Sequence, residues 1–83
     1  MKFEHLKCYS QAEIDKAERE NNLSQEDSGD YEVGKTILYL KNSDIYIDEV
    51  EATFILSGAT VHGAIWRCVY VSSRLSTSGK EES

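Results

Sequence analysis

Cys8, Cys68, His5 and His62 are the residues of this chain best suited to chemistry, and their spacing limits what they can do. A zinc site needs close Cys or His pairs whose backbone turns aim both ligands at one ion. His5 and Cys8 would point to opposite faces of a shared strand, and His62 and Cys68 would stand about 20 Å apart on an extended one. The expected arrangement is two strand cysteines and two surface or edge histidines, with no metal and no cofactor. A cysteine nucleophile needs a thiolate beside a base and a third group that orients the base. No local motif supplies that set, and both cysteines sit among apolar neighbours, where a thiol packs. Gly58-Ala-Thr-Val-His-Gly63 has the glycine spacing of a phosphate loop. It lacks the Lys and Ser/Thr that hold phosphate and magnesium, so it reads as a strand connection. So short a chain leaves little room for a roofed pocket. The expected protein is not an enzyme.

Charge is the stronger signal. The 83 residues carry nine Lys and Arg against fifteen Asp and Glu, a net charge of −6. Between Glu13 and Glu51 there are twelve acids and four bases, 4 − 12 = −8, so the remainder is slightly positive. Glu49 and Glu51 on one strand face would lie roughly 6.7 Å apart. Rows of carboxylates at such separations can occupy Lys and Arg sites that otherwise hold nucleic-acid phosphates. The competing explanation is a solvated acidic surface that keeps a small protein soluble. Clustering of the acids on one face would favour the first, scatter the second. The aromatics are the second signal: Tyr39, Tyr46 and Tyr70, with Arg67 beside them, are of the types that anchor protein interfaces. As cross-strand pairs they would instead stabilise a sheet.

These side chains need a scaffold. Forty per cent apolar and 29 % charged residues describe one ordered domain. No apolar run reaches the roughly 20 residues of a membrane-spanning helix. The opening Met-Lys-Phe-Glu-His places an acid and a His where a signal peptide is apolar. A cytoplasmic location with reduced cysteines is therefore expected, and Cys8–Cys68 pairing is not. Residues 2–9 read as a strand. Ser10-Gln11-Ala12-Glu13 is a capping box, and Tyr9 and Ile14 occupy the positions of a hydrophobic staple. The helix is expected over 11–22, with Asp15–Arg19 and Lys16–Glu20 pairs on its wet side. A polar loop follows over 24–30, then three strands: 31–40, 45–56 (with a bulge near Asp48 and Glu49) and 64–72. Residues 73–83 read as a flexible polar tail after a single domain over 1–72.

The predicted class is α+β, in order β-α-β-β-β: an antiparallel sheet of about four strands with one helix on one face. Ile37 to Leu40, Phe54 to Leu56 and Val69 to Val71 are apolar on both faces, as in strands covered on both sides. One thin helix covers one side. The other face calls for the first strand, a second copy or a partner. The expected function is a small acidic, non-enzymatic protein-binding module. It would block a basic nucleic-acid-binding site on a protein complex, in the manner of a phage or mobile-element inhibitor of host defence. Its negative charge opposes direct nucleic-acid binding, and no membrane partner is expected. The candidate contact residues are Glu26, Asp27, Asp30, Tyr39, Asp44, Tyr46, Asp48, Glu49, Glu51, Arg67 and Tyr70. The alternative is a structural or regulatory homodimer that buries its second sheet face.

Overall fold

A computed structural model describes residues 2–43 and 49–76. The elements in chain order are β1 (Cys8–Ser10), α1 (Gln11–Asn21), β2 (Leu23–Asp27), β3 (Ile37–Asn42), β4 (Val50–Thr60) and β5 (Gly63–Val71). The class is α+β, and the sheet has five strands, one more than the sequence suggested. Its order is β1-β5-β4-β3-β2, antiparallel at every step. The extra strand is β2, which overlaps the segment expected to be a polar loop.

Helix α1 starts where the capping box put it. Glu13 N–H donates to Ser10 Oγ (3.3 Å), and Ser10 N–H donates to Glu13 Oε1 (2.9 Å). It ends at Asn22, which is left-handed (φ 54°) and returns its N–H to the Glu18 carbonyl. Ile14 and Ala17 are its buried residues. They join a core formed by one face of the sheet: Leu38 and Leu40, Ala52, Phe54 and Leu56, Trp66 and Cys68. Phe3, Tyr9 and Phe54 close the core with edge-to-face rings, 4.9 to 6.2 Å between centroids.

A polar clamp fixes the helix on the sheet. Trp66 Nε1 donates to Gln11 Oε1 at 2.7 Å. Gln11 Nε2 donates to Asp15 Oδ1 (2.9 Å) and to Gln25 Oε1 on β2 (3.1 Å). Gln25 Nε2 donates to Asp15 (2.6 Å) and Glu18 (3.1 Å). Asp15 thus serves the clamp, where the sequence suggested a partner in Arg19.

The pairing departs from plain alternation at three bulges. Glu51 is the extra residue between β4 and β3; Ser57 and Val69 are the extra residues between β4 and β5. The bulge expected near Asp48 and Glu49 adjoins Asp48, which lies outside the described residues; the bulge seen in β4 against β3 is at Glu51. Strand β4 runs to Thr60 and turns through Val61 and His62, so most of the expected 57–63 connection is strand. Gly63, at φ 124°, closes this two-residue hairpin in a conformation that side chains disfavour. The N-terminal strand is shorter than expected, with Phe3 bridging Ser76 before the chain enters β1. Packing continues past residue 72: Leu75 is fully buried, so the first residues of the expected tail belong to the domain.

Candidate functional site

Side chains alternate across a strand, so the residues between the core positions form a second face, opposite α1. Two cross-strand rows define it. One runs Glu26–Tyr39–Thr53–Tyr70 across β2, β3, β4 and β5; the next runs Ile37–Ile55–Arg67–Cys8 across β3, β4, β5 and β1. No described element covers this face. Strand β1, one of the three expected covers, pairs instead at the edge beside β5. Ile37, Tyr39 and Ile55 are half-buried by their neighbours, and Tyr70 is 49 % exposed. A shallow open groove of about 180 Å³ lies at one end of the face, lined by Val33, Gly34, Ile55, Leu56, Ser57 and Arg67.

The turn before β3 builds one wall of the groove. Gly34, at φ 81°, donates its N–H to the Leu56 carbonyl (2.8 Å), and Leu56 N–H donates to the Thr36 carbonyl (2.9 Å). This places Val33 beside Ile55, and Val33 and Tyr31 are each 65 % exposed. Asp27 organises the turn: its Oδ1 accepts from Gly29 N–H (2.9 Å) and its Oδ2 from the Tyr31 hydroxyl (2.8 Å). Bonding to that carboxylate pushes the Tyr31 phenol above its ordinary value of 10.0.

Charge is distributed unevenly across the sheet. Residues 23–30, β2 and the loop that leaves it, hold Glu26, Asp27 and Asp30 and no base, 0 − 3 = −3. Residues 2–10 and 63–76, the β1 and β5 side, hold Lys2, Lys7, Arg67 and Arg74 against Glu4, 4 − 1 = +3. Glu26 reaches across to Lys41, Lys35 pairs with Glu32 and Lys7 with Glu4. Among the described residues no carboxylate pairs with Arg67, which is exposed on the open face.

The structure therefore brings Glu26, Tyr39, Arg67 and Tyr70 onto one face, with Asp27 and Asp30 along its acidic margin. Glu49 is exposed just ahead of β4. Glu51 is elsewhere: it is 5 % exposed, and its Oε1 accepts from Ser72 Oγ (2.8 Å) and Arg74 Nε (3.1 Å). The expected Glu49–Glu51 row on one strand face does not form, because the bulge turns Glu51 into the protein, where its work is structural. Asp44, Tyr46 and Asp48 lie outside the described residues.

Ile37, Ile55, Val33 and Tyr31 belong to the face but were not singled out in the sequence. The signal for the two isoleucines was present in strands apolar on both sides. For Val33 and Tyr31 there was none, since a turn has no periodicity. The cysteines lie on opposite sides of the sheet: Cys8 pairs with Arg67, outward, and Cys68 is the next residue, inward. Burial pushes the Cys68 thiol above its ordinary value of 9.0. Among the described residues no three His, Cys, Asp or Glu side chains gather as a metal set, and no helix is long and apolar enough to span a membrane. In comparisons with known proteins, no family model, no curated protein and no solved structure matches this chain.

Proposed function

We propose that this chain is a non-enzymatic protein-binding module that docks through the open face of its sheet. The observation that supports this most directly is the juxtaposition on that face of Ile37, Ile55, Tyr39 and Tyr70 with a margin of acids at Glu26, Asp27 and Asp30. Aromatic and aliphatic side chains contribute contact area, and Tyr is over-represented among residues that dominate binding energy. The acids steer and orient a surface of opposite charge more than they add affinity. The preferred partner is accordingly a basic protein surface of the kind that handles nucleic acid, which this module would occlude. The three-residue strand β1 and the charged end of β2 make both sheet edges poor sites for strand addition, so the face is the better docking surface.

Affinity capture from a bacterial lysate, with wild type and a Tyr39→Ala/Tyr70→Ala variant side by side, tests this reading. Wild type should retain a basic nucleic-acid-binding complex at low salt and lose it at high salt, where exposed charges are screened. The variant, its fold checked by circular dichroism, should retain little of it. Equal capture by both proteins would overturn the reading.

A further inference from the structure

We infer that a second copy of the chain covers the open face when no other partner does. The inference rests on the proposal that this face is a docking surface, and it names an occupant. The basic surface that the acidic β2 edge calls for is present on the molecule itself, along the β1 and β5 side. Arg67 stands there on the docking face among Ile55, Ile37 and Cys8, with no carboxylate beside it among the described residues. An unpaired guanidinium on a largely apolar surface, in a chain with fifteen acids, is a group set up for an acid from outside.

Symmetry supplies that acid. Two sheets packed face to face are related by a twofold axis lying between them. If the axis runs along the strands, the two edges exchange places: the acidic β2 edge of one copy lies over the Arg67 side of the other, and the reverse contact occurs at the same time. If the axis ran across the strands, acid would face acid. The charge distribution therefore selects the first arrangement, an aligned sandwich with a helix on each outer layer. The face is large enough. Five strands span roughly 19 Å, and six residues of strand about 20 Å, so two such faces remove on the order of 1,000 Å² from water. That is the lower end for a specific contact, which suits an occupant that a tighter partner can displace.

Sedimentation equilibrium of the full chain, from low to high micromolar concentration, reads the outcome. Wild type should move from one chain mass, 9.4 kDa, towards twice that. Arg67→Glu alone should stay at one chain mass, as should Glu26→Lys/Asp30→Lys alone. An equimolar mixture of the two variants should return to twice the mass, because each variant then meets opposite charge in both halves of the interface. This restoration separates charge pairing from misfolding. A wild type that stays at one chain mass throughout overturns the inference, as does a dimer indifferent to Arg67→Glu or a mixture that fails to associate. A single-chain wild type whose capture still depends on Tyr39 and Tyr70 leaves the docking reading standing and assigns the face to the foreign partner alone.

Discussion

Replacing Glu51 is the sharpest test of how this sheet is held together. Its side chain is 7 % exposed and accepts two hydrogen bonds, from Ser72 Oγ and Arg74 Nε. Hydrogen bonds to a charged group contribute about 1.5–3 kcal/mol each. The Ser72 bond, which is part-buried, can be given the middle of that range. The Arg74 side chain is 48 % exposed and recovers water when its partner is removed, so its share falls below about 1 kcal/mol. Glu51→Ala should therefore cost about 2–3 kcal/mol, lowering the melting temperature by roughly 10–20 °C in a domain of this size. Glu51→Gln, which can still accept from Ser72, should cost about half as much. Glu49→Ala, at an exposed position, should stay within about 0.5 kcal/mol of wild type. Urea unfolding followed by the fluorescence of Trp66, the single tryptophan, measures all three. The Glu51 side chain also anchors the segment after β5, through Ser72 Oγ and Arg74 Nε. Amide exchange at Phe3, which donates to the Leu75 carbonyl, should quicken in Glu51→Ala. A Glu51→Ala protein as stable as Glu49→Ala would refute the reasoning. The same logic separates lysine at position 49 from lysine at position 51. Lys at 49 samples surface charge, whereas Lys at 51 buries a cation beside Arg74 and unfolds the protein.

Gln11→Leu strands the Trp66 indole N–H and removes one bond each from Asp15 and Gln25, which stay bonded to each other. It should cost about 1–3 kcal/mol, and an unchanged urea midpoint would contradict the clamp. Thr36 is fully buried with its hydroxyl unpartnered among the described residues, so Thr36→Val should raise stability by about 1 kcal/mol; a lower midpoint would show that the hydroxyl has a role. Under native conditions a thiol reagent should modify Cys8 promptly and Cys68 only on unfolding. Two prompt equivalents would contradict the packing. Because burial raises both the Cys68 thiol above 9.0 and the Tyr9 phenol above 10.0, the folded state keeps their protons longer than the unfolded chain does. The stability they contribute is complete below about pH 9 and falls as pH rises through the raised values. Cys68→Ala should flatten that alkaline loss.

The most local parts of this fold were the most legible in the sequence. Ser10 and Glu13 identify a helix start with three residues of context, and the structure has both bonds. The alternation of Ala52, Phe54 and Leu56 identifies the core face of β4 equally well. Strand β2 was hidden because Leu-Ser-Gln-Glu-Asp has no apolar alternation; it sits at an edge, with Gln25 satisfied by the helix clamp and Ser24 and Glu26 on the wet side. Leu75 was hidden by its polar neighbours, since a single apolar residue in a serine-rich stretch carries no period. Glu51 was misplaced for a different reason. One bulge reverses the facing of every residue beyond it, and its position depends on pairing with a strand that sequence spacing does not reveal. The open face was legible as a requirement, from strands apolar on both sides, but its charge distribution emerged only once β1 and β2 were known to lie on opposite edges.

That placement also decides the order in which the molecule can assemble. Strands β2 to β5 form a run of neighbouring hairpins, each closed over a short stretch of chain. Pairing Tyr9 with Trp66 must wait until chain ends nearly the whole molecule apart meet, and long closures are the slow ones. Helix α1, at 11 residues about 16 Å long, is close to the roughly 19 Å width of the sheet it crosses. It can reach from one edge to the other without slack, so β1 docks in one register or not at all. The meander should thus form first, and residues 2–21 should then swing across it as a clasp. The same clasp is the natural first element to release, which makes the pairing between β1 and β5 the seam along which this protein opens.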